Sequence, residues 1–312
     1  MNVVFSRLSK IRLNKMDKLY TTKKSEKYPE LSVLKYKKKV FYDNLWNQDK
    51  GLLECRGRVV NNSGKTVVNP FTKIFNYQEN GTVINGNESC VAVQKINGFM
   101  ACATYILDYD DVIISTTGSL DSEYVEIARK YIPKEFIKHI KSVKSDWTYI
   151  FEIVAKEDKI IHPIKERYGA YLTGMRKVDS KKPYFSSSIW ESSLDIFAED
   201  INKRIEDKNN HILRPSYFTT LFYYIVNSAK NEKNIEGYVV YGQESKTVLK
   251  IKTPYYLTKK ALMRKKDIFT LDKKNVDEEY YPLIEYCKNI EGFNDLSDKE
   301  RTGIIEDYFK RN

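Results

Sequence analysis

The chain is short of the residues that bind transition metals or close disulfides. Its four cysteines, Cys55, Cys90, Cys102 and Cys287, form no CxxC pair, and its three histidines, His139, His162 and His211, are scattered. That distribution argues against both a zinc site and a disulfide framework. The glycine-rich loops GxxxxGK[ST] and GxGxxG are also missing, so any bound phosphate group has to be held by side chains. No apolar run approaches the roughly 20 residues that span a bilayer, and the N-terminus has no signal-peptide core. The expectation is a soluble protein of the cytoplasm or another intracellular compartment, cellular or encoded by a phage or virus. MNVVFSRLSKIRLNKM has no acidic residue and faintly resembles an organellar presequence, but we read it as part of a basic arm.

What the chain does have is a core and an uneven positive charge. Of its 312 residues 41% are apolar, enough to fill a globular interior. The formal charge is +11, and residues 1–50 hold 13 Lys or Arg against 5 Asp or Glu. Such an excess attracts polyanions over about 10 Å, which makes nucleic acid or nucleotide the natural partner, with a merely solvated lysine-rich surface as the alternative. Twenty-four tyrosines, fourteen phenylalanines and three tryptophans supply stacking surface as well as core.

Residues 1–30 read as a polar, partly flexible arm, with ordered structure beginning near Ser32. Short alternating segments follow: RVVNNSGKTVV, CVAVQ, FMACATYIL and DVIIST. SEYVEIARKYI and PKEFIKHIKSV have helical spacing, the second with Pro133 in its first turn. WTYIFEIVA and YGAYLTGMR return to strand, with a break at His162-Pro163 between them. SLDIFAEDINKRIED and PSYFTTLFYYIVNSAK read as helix, GYVVYGQESKTVLKIKT as a hairpin, and the chain from Tyr255 onward as helical. The pattern predicts an antiparallel α+β fold with a small α-helical C-terminal region, not a regular βαβ alternation.

Several charged residues interrupt these strand patterns: Arg56 in ECRGRVV, Lys73 in PFTKIFN, Lys95 in QKINGF, Glu152 in YIFEIVA, Glu236 in NIEGYVV, and Lys250 with Lys252 in LKIKT. A charge is costly to desolvate unless it is paired or used. Lys95 precedes Asn97-Gly98, a pair that predicts a hairpin turn, and is either an edge-strand charge or a reagent. Lys250 and Lys252 share a strand face, opposite Ile251. They mark either a solvated face or a place for an anion.

Taken in order, ECRG, KIFN, KING, FEIV, IEGYVV and KIK resemble the motifs of the covalent nucleotidyltransferases, the superfamily of ATP-dependent ligases and capping enzymes. The likeness is nearest to ATP-dependent RNA ligases of the phage T4 RNA ligase 1 type, and covers about residues 32–260. It implies an antiparallel-sheet nucleotidyltransferase domain over residues 31–256 and a helical C-terminal domain over 257–312. It also implies ATP and Mg²⁺, with Mn²⁺ as an alternative ion, and RNA as the substrate to be joined. Nothing points to a membrane or to an obligate protein partner.

Residue by residue, the resemblance makes Lys95 the nucleophile that takes AMP from ATP. That amine must be neutral to react, which like charges nearby favour. Lys250 and Lys252 would balance phosphate charge, Lys73 would contact ATP, and Arg56 would meet ribose and phosphate oxygens. Glu236 and Tyr36 fall on nucleotide-binding positions, Tyr256 on a family tyrosine, and Glu152 on an essential glutamate with ribose-linked or metal-linked roles. Two departures stand out. Asn97 replaces the aspartate of the usual Lys-x-Asp-Gly, within the nucleotide site, and Thr117 in TTGS replaces a lysine. The alternatives are a GTP-using capping guanylyltransferase, a DNA ligase, and a catalytically degenerate RNA-binding homologue.

Overall fold

The computed structural model describes residues 19–158, 164–263 and 281–311. The expected break at His162-Pro163 and residues 1–18 of the expected arm lie outside them. The described strands form three sheets. The first has the order β1-β2-β3-β4, from Tyr20–Lys24, Leu31–Tyr36, Arg56–Asn61 and Thr66–Val68. The second has the order β10-β9-β7-β8, with β7 at Phe99–Ile106, β8 at Asp111–Thr116, β9 at Trp147–Val154 and β10 at Gly169–Lys177. The third has the order β11-β6-β12-β13-β5, from Tyr217–Leu221, Ser89–Gln94, Gly237–Gly242, Val248–Lys252 and Phe75–Asn76. Pairing is antiparallel throughout except between β13 and β5.

The second sheet is the central layer. Ala101, Ala103, Tyr105, Phe151 and Ile153 on one face meet three helices, α1 (Glu123–Tyr131), α2 (Lys134–Ser142) and α3 (Ser188–Asn202), through Val125, Ala128, Phe136, Ile140, Leu194 and Ala198. On the other face Met100, Cys102 and Ile150 meet Leu31, Val33, Val59 and Val68 of the first sheet. Burial of both faces explains why β7 and β9 read as nearly continuous apolar runs, since neither face has to be wetted. The third sheet packs Cys90, Ala92, Val240, Leu249 and Ile251 against Phe222, Ile225 and Ala229 of α4 (Phe222–Asn231). Among the described residues three C-terminal helices follow: α5 (Pro254–Met263), α6 (Tyr281–Lys288) and α7 (Asp298–Arg311). Leu283, Ile284, Cys287, Ile305 and Phe309 of the last two, with Leu257 of α5, form a small core of their own. All four cysteines are buried free thiols, and burial pushes Cys90 and Cys102 up to about 12.

Three local expectations are corrected. Regular structure is already present at Tyr20, ahead of the expected start near Ser32, because β1 pairs along β2 and the turn between them is tied to Asp121, which accepts from Ser25 Oγ and from the Glu26 and Lys27 amides. PSYFTTLFYYIVNSAK is not one helix: Tyr217–Leu221 fills the edge of β6 as a strand, and the helix starts only at Phe222. Pro133 is the residue before α2 and not part of its first turn.

The most consequential correction concerns Asn97-Gly98, which is not a hairpin turn. Strand β6 already has β11 and β12 on its two edges, and β7 has β8 and β9, so the two cannot pair with each other. Residues 95–98 instead carry the chain from the third sheet into the second. Gly98 passes so close to β9 that a Cβ there would collide with the Ile153 carbonyl oxygen. Gly98→Ala should therefore force the crossover and β9 apart and cost about 1–3 kcal/mol. The expected readout is a lower urea midpoint at unchanged m-value; an unaltered midpoint would show that the crossover is slack.

Candidate active site

The crossover delivers Lys95 to the junction of the second and third sheets, beside a cleft that Lys250 and Lys252 line. Its amide donates to the Gly237 carbonyl at 2.9 Å, so the backbone there is held as an extension of strand pairing. Its ammonium lies 2.9 Å from Oε1 of Glu236, a residue only 3% exposed, and Lys252 Nζ lies 3.9 Å from the same oxygen. A buried carboxylate between two ammonium groups is a stable arrangement only because both counter-charges are present. Because Leu249 and Ile251 pack towards α4, strand alternation turns Lys250 and Lys252 to the opposite face, towards Lys95. Burial holds the Lys250 ammonium well below the ordinary lysine range, and the charges of Lys252, Lys73, Arg56 and Lys95 add to the effect.

The second sheet contributes Glu152, opposite Met100 on β7. Burial raises its carboxyl above the usual range; Lys95, Arg56 and the Gly98 amide oppose the rise, while Glu236 adds to it. Arg56 enters from the first sheet, with Nη1 3.6 Å from Met100 Sδ. At the far side of the cleft Lys73 is buried, its ammonium 3.5 Å from Glu79 Oε1 and 5.2–5.4 Å from the ring centres of Phe41, Trp46 and Phe75. Tyr36 shares that aromatic cluster, edge-on to Trp46 at 4.9 Å. Tyr256 is buried under the Lys252 and Lys260 ammonium groups, at 5.7 and 5.6 Å from its ring centre.

The structure thus brings together Arg56, Lys95, Glu152, Glu236, Lys250 and Lys252, with Lys73 within electrostatic reach of Lys250. Asn97, on the crossover, is 5% exposed. Tyr36 stands apart, beyond the Trp46 ring that it shares with Lys73. One acid was not picked out from the sequence. Glu166 is half-buried beside Gln94, in the field of Glu236 and Lys95, and desolvation raises its carboxyl above the ordinary range. It belongs to KERY, a polar stretch just ahead of β10, and so carries no signal of a charge inside an apolar pattern.

A second cluster fixes the strand that supplies Arg56. Glu54 accepts from Arg58, Arg176 and Thr72. Arg176, only 3% exposed, also donates to the Pro70 and Lys182 carbonyls. These bonds hold the start of β3, the segment after β4 and the end of β10 as one unit.

The raised Glu152 carboxyl sets a pH dependence. An acid whose folded value exceeds its unfolded value adds stability in full below the unfolded value, about 4.3 for glutamate, and loses it as pH rises through the folded one. Glu152→Gln cannot ionise, so its stability relative to the parent chain should increase from acid towards neutral pH. Denaturant unfolding over a pH series measures the difference, and parallel curves would refute it.

Residues 54–256 match the model of a family described as RNA ligase. No curated protein matches the chain in sequence. Among solved structures, an archaeal ATP-dependent RNA ligase superposes with a TM-score of 0.57 at 12% identity, covering 96% of this chain and 74% of that one. A putative ATP-dependent DNA ligase from Aquifex aeolicus superposes with a TM-score of 0.59 at 14% identity, covering 96% and 75%. At such identities the likeness is one of fold, an antiparallel α+β architecture shared with these ligases. The family match spans about two thirds of the chain and includes Arg56, Lys73, Lys95, Glu152, Glu236, Lys250 and Lys252, and on that ground the protein belongs to the RNA ligase family.

Proposed function

We propose that the protein is an ATP-dependent RNA ligase that joins a 5′-phosphate to a 3′-hydroxyl through an AMP carried on Lys95, in RNA repair that includes tRNA breaks. The observation that carries this reading is the position of Lys95, at the junction of two sheets, against a buried carboxylate and opposite a group of cations.

In the first step the Lys95 amine, having lost a proton, attacks the α-phosphorus of ATP. An N–P bond forms as the P–O bond to pyrophosphate breaks. Lys250, Lys252, Lys73 and Arg56 surround the cleft with positive charge where phosphate charge is greatest. The AMP then passes to the RNA 5′-phosphate, freeing Lys95. Attack by the 3′-hydroxyl forms the new phosphodiester and releases AMP. Glu236, paired with Lys95 in the empty site, would hold the lysine between turnovers and meet the nucleotide once the lysine leaves it.

Mg²⁺ favours one or two carboxylates together with substrate phosphates. Among the described residues no group of three or more His, Cys, Asp or Glu is arranged to hold a metal, so the donors suit an ion that arrives with nucleotide phosphates. Glu152 is the carboxylate that would hold Mg²⁺, or Mn²⁺ on the same oxygen donors, and the ion would neutralise phosphate charge. No described helix is long and apolar enough to cross a membrane.

Incubation with ATP labelled at the α-phosphate, followed by denaturing electrophoresis, should leave label on the chain, and Lys95→Ala should abolish it. Label persisting in that variant would remove Lys95 from the mechanism. Labelling by GTP in place of ATP would favour a capping enzyme, and RNA binding with no label from either nucleotide a degenerate homologue.

ATP binding should also take up protons in mildly alkaline buffer, because polyphosphate restores the charge on Lys250 that burial and neighbouring cations oppose. Calorimetry in buffers of different ionisation enthalpy measures the uptake. It should fall in Lys250→Met, and equal uptake in both proteins would assign it elsewhere.

A further inference from the structure

The turn after β8, Thr116–Ser119, lacks the lysine that the resemblance led us to expect at Thr117, yet two ammonium groups from elsewhere reach it. Lys35 Nζ lies 3.5 Å from where a Cβ of Gly118 would be, and Lys23 Nζ donates to Ser119 Oγ at 3.2 Å. Both lysines are exposed, and neither is in an ion pair among the described residues. They come from β1 and β2, which the Asp121 hydrogen bonds fasten to the segment just after the turn.

The strand register aligns these groups with the active site. Lys35 is paired directly with Arg56 across β2 and β3, and Lys23 is paired with Val33, so Lys23 and Lys35 are diagonal neighbours on one face. The ladder slips at Gly57, whose φ of +91° suits glycine and whose missing side chain lets Thr117 Cα come within 2.9 Å of where a Cβ would stand. That bulge seats the turn against Arg56. Directly opposed side chains are about 4.5–5.5 Å apart at Cβ and diagonal ones about 7–8 Å, and like charges so placed destabilise a sheet. The row Arg56, Lys35, Lys23 therefore raises the free energy of the empty protein and lowers it once a chain of phosphates lies along it.

We propose that Lys35 and Lys23 extend the Arg56 end of the active site into a track for the RNA backbone next to the 5′-phosphate, with Lys35 supplying the ammonium that Thr117 does not. This rests on the ligase reading above. The ligand chemistry is a run of phosphodiesters leading to a terminal phosphate. Diagonal lysine spacing is comparable with the step between consecutive phosphates of a single strand, and the row continues from an arginine already at the site.

The test uses the full chain and a short single-stranded RNA bearing a 5′-phosphate. Lys35→Ala and the double variant Lys23→Ala/Lys35→Ala should label at Lys95 with ATP as the parent does, which also shows that they fold. Their RNA affinity should fall about tenfold per lysine. The slope of log affinity against log salt should become shallower by about 0.7 for each ammonium removed. Transfer of AMP to RNA should slow accordingly, and Lys35→Ala/Thr117→Lys should recover it, because an ammonium is restored at the same turn. Unchanged affinity and slope in the double variant, with normal Lys95 labelling, would overturn the proposal. Absence of Lys95 labelling in the parent would instead defeat the ligase reading, while the salt slopes would still report on the track.

Discussion

Mutual repulsion among the cations of one cleft is the constraint around which this protein is arranged. Two like charges 4 Å apart at an effective dielectric of about 20 repel by about 4 kcal/mol, a large fraction of a domain's net stability. The fold meets that cost with acids: buried Glu236 lies between Lys95 and Lys252, and half-buried Glu79 beside Lys73. Glu152 and Glu166 stand close enough to feel Lys95. The compensation is incomplete at Lys250, whose ammonium remains disfavoured by its surroundings. A site left short of negative charge in this way is predisposed to bind a polyphosphate.

Holding those groups in place is the task of the layers behind them. The central sheet is buried on both faces, by helices on one side and by the first sheet on the other, so Glu152 is mounted on a strand with little freedom to shift. The third sheet is backed by α4, which consumes Leu249 and Ile251 and leaves the alternate residues Lys250 and Lys252 to the cleft. The crossover at 95–98 joins the two, and its close approach at Gly98 fixes the distance between the segment that carries Lys95 and β9. Packing density and charge placement are thus coupled: a methyl group at Gly98 would disturb both.

The two departures from the resembled motifs have different settings. Asn97 is buried within the crossover, where an uncharged amide avoids adding another desolvated carboxylate near Glu152 and Glu236. Thr117 is half-buried at a turn that abuts Gly57 and is reached by lysines from another sheet. Loss of a charge at one position in sequence is therefore not a loss at that position in space.

The sequence by itself singled out the charges that the fold gathers, because a charge inside an apolar strand pattern is conspicuous wherever the strand ends up: Arg56, Lys73, Lys95, Glu152, Glu236, Lys250 and Lys252 were all legible that way. The α+β class followed from periodicity, and the order of motifs led to the family. Strand partnership was not legible. Asn97-Gly98 has the local chemistry of a hairpin, and only the occupation of both edges of β6 and β7 by distant strands makes it a crossover. Glu166 and Lys35 were hidden for the same reason, since one lies in a polar loop and the other in a lysine-rich stretch where another charge is unremarkable. Local sequence encodes what a residue would cost to bury; only tertiary pairing, set by contacts between segments far apart in the chain, decides which charges face one another.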